Sequence, residues 1–323
     1  MRLLAQAALT LFCAAGLALA QGKTREEVER WPDGSPRART TLVQAADGGW
    51  VLEGPAETRY RNGQLAESGS YTAGVREGQW TTWHENGSLD AQGAYSAGKK
   101  NGEWTTFYRT RSGTPRERGT YRDGVAHGAW TWAFTNGKRS AVCELVDGVP
   151  HGAYARWSEE GKVLEKGNFA HGAEDGDWQL FHPDGTPREA GAMKAGQRAG
   201  VWKSWHPDGS PASEGAYTDA GARDGKWTWW HPGGTQVALE GTFAGGRELG
   251  RWTWFDAAGK KVQEGAFEAG QPDGRWTTWH ADGSKASEGD YDAGLCAGEW
   301  TFWSGEGQVS RTAVYRAGRE QPR

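Results

Sequence analysis

The chain has 323 residues, 50 of them glycine and 20 tryptophan, with an apolar fraction of 36% and a formal net charge of −4. So much aromatic side chain excludes a disordered polymer, and the near-neutral charge gives no basic face of the kind nucleic-acid binders carry. Trp, Tyr and Phe supply most of the apolar bulk, which together with the glycines predicts an all-β chain of short strands and tight turns.

The first twenty residues stand apart. "MRLLAQAALTLFCAAGLALA" carries one basic residue, Arg2, then an apolar run from Leu3 to Ala20. It ends in Ala18-Leu19-Ala20, the small-x-small pattern of a signal peptidase site, and predicts cleavage after Ala20 and export to the bacterial periplasm, the cell surface or the medium. An uncleaved anchor is the rival reading, because about 18 apolar residues approach the length of a membrane span. Phe12, just before Cys13, is too bulky for lipid attachment at that cysteine. No later segment is apolar enough to span a membrane.

Residues 21–54 read as an N-terminal cap or degenerate repeat. "RWPDGSPRA" (Arg30–Ala38) matches a repeat turn, whereas "TTLVQAADGGW" breaks the period. The array proper covers residues 55–318, with a tail at 319–323. Its marker is Gly-x-Trp, with Trp80, Trp104, Trp130, Trp178, Trp202, Trp227, Trp252, Trp276 and Trp300 as the structural aromatics and Gly152-x-Tyr154 in the remaining slot. The spacing is close to 24 residues throughout, the signature of a repeat architecture. Each unit predicts two strands. The first is "GxWTxWH"; a turn such as "HPDGS" (His206–Ser210) follows, then a second strand such as "ASEGAY" (Ala212–Tyr217). In the turn Pro presets φ, Asp bonds its own backbone and Gly accepts a positive φ. About eleven such hairpins in order predict a long, twisted single-sheet meander of some 22 strands, each unit contacting only its neighbours.

A four-residue loop places Trp80 across from Gly93 and Trp276 across from Gly289. Room left by each glycine would then let the indole opposite lie over it. A second aromatic follows the first by three residues, at Trp83, Trp205, Trp230, Trp279 and Trp303. Three residues along a strand means the opposite face, so these five are the candidate binding-face aromatics. Either both faces carry aromatics or a bulge turns one set, and two aromatic faces are expected.

From "YTAGVREGQWTTWHENGS" (Tyr71–Ser88) the unit resembles the MORN-repeat variant of bacterial YwqK-like antitoxins. The Tyr-x-x-Gly steps at Tyr71, Tyr95, Tyr121, Tyr291 and Tyr315, each followed where the chain continues by Gly-x-Trp, carry the likeness. The resemblance implies an antiparallel hairpin array with a binding or scaffolding role, no catalytic residue to carry over, and an antitoxin or immunity-like function by analogy.

Five histidines share one repeat position, His84, His182, His206, His231 and His280. Neighbours there lie about 10 Å apart, two strands away, too far to share one metal ion, so polar strand ends are expected and no metal or cofactor. Glu214, Glu240, Glu264 and Glu288 form a column beside Lys226, Arg251 and Arg275, which predicts cross-strand ion pairs. An enzyme is not expected, because an acid–base pair needs one defined pocket and this column repeats evenly. Cys143 and Cys296 are more than six repeats apart, roughly 60 Å at about 4.8 Å per strand, so no disulfide is expected. The sequence thus predicts an exported, non-catalytic binding protein. Its partner is another protein, or a second copy, taken through the face or the open sheet edges; the alternative is an envelope glycan stacked on the tryptophan ladder.

Overall fold

The computed structural model describes residues 22–110 and 112–322. The leader, with the expected cleavage site Ala20, lies outside the described residues. Those residues are all-β without a helix, and the strands pair antiparallel in hairpin repeats. The chain divides into two compact units, residues 1–126 and 127–323.

The first unit holds β1 (Thr24–Arg30), β2 (Pro36–Gln44), β3 (Trp50–Arg59), β4 (Leu65–Thr72), β5 (Val75–Trp83), β6 (Leu89–Ser96), β7 (Lys99–Phe107) and β8 (Pro115–Arg122). Residues 22–54, within the 21–54 stretch expected as a cap or degenerate repeat, form β1, β2 and half of β3, paired as hairpins like the rest.

The second unit runs β9 (Val125–Ala133), β10 (Arg139–Val146), β11 (Val149–Trp157), β12 (Val163–Ala170), β13 (Ala173–Glu174), β14 (Gly176–Phe181), β15 (Pro187–Lys194), β16 (Gln197–Trp205) and β17 (Pro211–Tyr217). It continues through β18 (Arg223–Trp230), β19 (Val237–Ala244), β20 (Arg247–Phe255), β21 (Lys261–Glu268), β22 (Gln271–Trp279), β23 (Lys285–Asp292), β24 (Leu295–Trp303), β25 (Val309–Arg316) and β26 (Arg319–Glu320). Twenty-six described strands exceed the roughly 22 expected. The surplus comes from the N-terminal hairpins, from β13 standing apart from β14, and from β26, which falls in the expected tail.

Two turns alternate. Within a hairpin the His-x-Asp-Gly-type loop closes on two backbone bonds, as where His206 N donates to Ser210 O and Gly209 N to His206 O. The Asp208 carboxylate accepts from Ser210 N and from its hydroxyl, which locks the loop. Between hairpins a two-residue turn carries positive φ at both central positions, 49° at Ala73 and 80° at Gly74. That is the type I′ geometry whose twist matches the flanking strands. Eight further non-glycine residues adopt the first of these positions, and successive turns are tied together, Gly98 N donating to Arg76 O and Gly294 N to Pro272 O.

The Gly-x-Trp motif is a bulge. Ser68 pairs with Thr81 and Ser70 with Glu77, so Gly78, Gln79 and Trp80 stand opposite the single residue Gly69. Gly78 takes φ 70°, a conformation costly to any residue with a side chain, and the strand bends there. The bend lays the Trp80 indole back over Gly69, and its Nε1 donates to Ser70 O at 3.1 Å.

The expected register is present: Trp80 pairs with Gly93 and Trp276 with Gly289. The indole does not lie on that glycine, however. It lies over the glycine of the preceding strand pair, Trp80 on Gly69, Trp104 on Gly93 and Trp276 on Gly265. Each indole therefore ties its hairpin to the one before. A Cβ at any of eight such glycines would meet an indole atom at 1.9–2.4 Å.

Candidate binding surface

Strand alternation gives each unit two different faces. On the first face the Gly-x-Trp indoles are consumed by packing. All nine are between 2% and 8% exposed. Tyr or Phe side chains stand edge-on between them, Tyr71 to Trp80 at 5.1 Å, Tyr95 to Trp104 at 5.2 Å, Phe243 to Trp252 at 5.0 Å. In four repeats a cation covers the outer ring face: Arg76 lies 4.2 Å over Trp80, Lys100 4.2 Å over Trp104, Arg198 4.2 Å over Trp202 and Arg223 4.7 Å over Trp227. Backbone below and cation above leave these rings little surface for a ligand. Around Trp227, Phe243 and Trp252 further aromatics, Trp229 and Trp254, join the ladder and form a buried cluster, and at Trp252 they stand where other repeats have a cation.

The second face carries Trp83 in the first unit and Trp205, Trp230, Trp279 and Trp303 in the second. All five are half-buried strand-end residues, and Phe107, Trp157, Phe181 and Phe255 occupy the same slot in other repeats. Each tryptophan is paired in register with one cross-strand residue: Leu89, Pro211, Val237, Lys285 and Val309 in order. Lys285 Nζ also lies 5.8 Å over the Trp303 ring. Within the second unit Trp205, Trp230, Phe255, Trp279 and Trp303 follow one another two strands, about 10 Å, apart.

The histidines have a structural task that the sequence reading did not assign. Nε2 of His182, His206, His231 and His280 lies 2.9–3.2 Å from the backbone oxygens of Trp205, Trp230, Phe255 and Trp303, one repeat further on. Tyr60 Oη does the same for Trp83 O at 2.7 Å. Each ring thus pins the start of one turn to the strand end of the next hairpin, and so holds the aromatic column in place. His84 is the exception. Its Nε2 is buried, makes no hydrogen bond among the described residues and stands 3.5 Å from the Asp90 carboxylate.

The expected ion pairs flank the column. Lys226 meets Glu240 at 2.8 Å, Arg251 meets Glu264 at 3.5 Å, Arg275 meets Glu288 at 3.2 Å, and Lys203 supplies the partner of Glu214 at 3.4 Å. Lys261 and Lys285 add hydrogen bonds to Glu264 and Glu288 that hold both carboxyls below their ordinary range. Exposed pairs of this kind contribute little stability each, about 0–1 kcal/mol, but they make a regular charged row. In the first unit Arg118 meets Glu103 at 2.6 Å with the charges reversed, and near β4 the side chains are smaller. Ser68, Ser70, Thr41 and Gln79 there border a polar hollow of about 380 Å³, with Arg39 between Glu26 and Glu57.

Among the described residues no three His, Cys, Asp or Glu side chains converge as metal ligands would, and no helix is long and apolar enough to cross a membrane. Cys143 is buried and Cys296 half-buried, both as free thiols.

Three stretches match the MORN repeat variant. They are residues 52–73, 76–97 and 198–219, and each is one hairpin that begins two residues before its positive-φ glycine and ends in the following turn. No curated protein matches the chain. Among solved structures it is similar to a TcdB2–TccC3–Cdc42 crystal structure (11% identity, TM-score 0.18, covering 91% of this chain and 17% of that one). It is also similar to the Photorhabdus luminescens Tc holotoxin pore (10% identity, TM-score 0.20, covering 88% and 21%). The chain spans about a fifth or less of the length of those chains, and at such TM-scores the likeness carries no argument.

Cation caps, the backward reach of the indoles and the histidine pins all escaped the sequence reading. Arg76, Lys100, Arg198 and Arg223 do carry a signal: each is a basic residue two positions before a Gly-x-Trp glycine.

Proposed function

We propose that the chain is an exported, non-catalytic repeat scaffold that docks another protein on the second face of its repeats, which carries Trp83 in the first unit and Trp205, Trp230, Trp279 and Trp303 in the second. The observation that carries this reading is the contrast between the two sets of tryptophans. Nine are closed by backbone, neighbouring rings and, in four repeats, cations, while this second set is half open, periodic and bordered by charge pairs. Rigid aromatics ringed by polar side chains are the composition of protein-binding hot spots. Three family matches in phase support a binding repeat, and the apolar leader ending in Ala18-Leu19-Ala20 supports export.

The test compares the chain with a Trp83→Ala, Trp205→Ala, Trp279→Ala variant as bait in the envelope fraction of its host. A defined protein held by the parent and lost from the variant, at unchanged melting temperature, supports docking on this face. Retention insensitive to the three changes overturns it. Saturable tryptophan fluorescence changes with cell-wall glycan, and no retained protein, would transfer the column to glycan binding.

A further inference from the structure

Three arginines repeat one arrangement over the buried indoles, and the third has lost part of it. Arg76 stacks on Trp80, donates to the Glu67 carboxylate at 2.7 Å and donates to Tyr95 Oη at 3.3 Å. Arg198 stacks on Trp202, donates to the Glu189 carboxylate and donates to Tyr217 Oη at 3.3 Å. In both repeats the carboxylate stands two residues before the glycine beneath the indole. Arg223 keeps the stacking, 4.7 Å over Trp227, 5.7 Å over Trp229 and 5.4 Å over Phe243. Two residues before its glycine, Gly215, stands Ser213, and Phe243 takes the place of the tyrosine. Both acceptors are gone, and among the described residues Arg223 has no ion pair.

A hollow of about 180 Å³ opens beside it, lined in part by Arg223, Trp227, Tyr217, Ser204 and Ser213. Ser204 and Ser213 share one hydrogen bond at 2.7 Å, so one hydroxyl hydrogen of the pair is left to donate elsewhere. Glu189 also borders the hollow, but Arg198 neutralises it.

We propose that Arg223 and the Ser204–Ser213 pair form a pocket for the carboxylate of an aspartate or glutamate side chain on a protein partner. In the Arg76 and Arg198 repeats the chain fills this position with its own glutamate, which identifies the missing group. The guanidinium is already held flat on an indole, so little freedom is lost when a carboxylate arrives, and charge-assisted bonds to arginine are among the strongest available. That the carboxylate belongs to a protein rests only on reading the chain as a protein scaffold; the pocket lies on the face opposite the tryptophan column, and its preference for a carboxylate does not depend on that reading.

The test uses the full mature chain with ¹⁵N-labelled Arg and Trp, titrated with an end-capped penta-glutamate peptide and its penta-glutamine counterpart. Saturable shifts of the Arg223 Nε–H and Trp227 Nε1–H signals are expected with glutamate only. Ser213→Glu, which restores the arrangement of the other two repeats, should weaken the response at least tenfold while preserving the fold. Should that variant unfold, Arg223→Gln gives the same readout. Equal shifts with glutamine, equal movement of Arg76, which lies outside this hollow, a response intact in Ser213→Glu, or no shift at all would overturn the proposal. Ser213→Glu leaves Trp83, Trp205 and Trp279 untouched, so loss of this pocket and loss of docking on the opposite face are separately visible.

Discussion

Cys143 pairs directly with Tyr154, and the two depart from the repeat together. Everywhere else that the next strand brings an indole, the residue at the Cys143 position is glycine. Where the ring shrinks to a phenol, a side chain fits, and Cys143 is only 6% exposed. Tyr154 stacks on Trp178 at 5.8 Å and meets Phe169 edge-on at 5.3 Å, so it still belongs to the ladder. Tyr154→Trp should clash with Cys143, and Cys143→Gly should leave a void, each lowering stability by about 1–3 kcal/mol. The double variant restores the ordinary Trp-on-Gly pair. A double-mutant cycle by urea unfolding should show positive coupling of at least about 1 kcal/mol; strict additivity would show that the two sites do not share space.

Gly265 and Gly305 separate packing from backbone effects. An added Cβ at Gly265 would lie 2.0 Å from the Trp276 ring, whereas at Gly305 it meets nothing within 4 Å and φ is not positive. Gly265→Ala should expel the indole and cost about 3–5 kcal/mol, comparable to losing a buried tryptophan, with a red shift in tryptophan emission. Gly305→Ala should be neutral or mildly stabilising through the unfolded chain.

The turns between hairpins hold a correctable strain. Ala269 sits at φ 51°, where an L side chain costs about 1–2 kcal/mol, and the equivalent position is already glycine at Gly245. Ala269→Gly or Ala269→Asn should raise stability by about 0.5–1 kcal/mol, and adding Ala73→Gly should add its own increment because the sites share no contact. Thermal melting of the single and double variants checks this. A lower melting temperature for Ala269→Gly would mean that the turn is not a stability bottleneck.

Acid should loosen the array for a specific reason. Hydroxyl and backbone donors from Ser35, Thr186, Ser210 and Ser284 hold Asp33, Asp184, Asp208 and Asp282 below their ordinary pKa. A carboxyl whose folded pKa is depressed contributes stability that is fully present above the unfolded value and is lost as pH falls through the folded one. Melting temperature should therefore be flat above about pH 5 on account of these groups and drop below about pH 4. Glu174, raised by burial, works in the opposite sense. The combined variant Asp184→Asn, Asp208→Asn, Asp282→Asn should flatten the acid limb; an unchanged limb would place the acid sensitivity elsewhere.

Much of this molecule is written locally. The 24-residue period, the Pro-Asp-Gly turns, the all-β class and the pairing of Trp80 with Gly93 follow from residue types and loop length, because turn chemistry and alternation act over a few residues. The direction each indole takes does not. It depends on the bulge at Gly78, where three residues oppose one, and strand register alone cannot say whether a ring leans forward onto Gly93 or back onto Gly69. The pins from His206 to Trp230 O and from Tyr60 to Trp83 O join residues 24 and 23 positions apart, and the cap of Arg76 on Trp80 with Glu67 spans two strands. Such contacts exist only once neighbouring hairpins are stacked, which is why the sequence alone determined a repeating hairpin and only the tertiary structure decided which tryptophans are closed and which remain open.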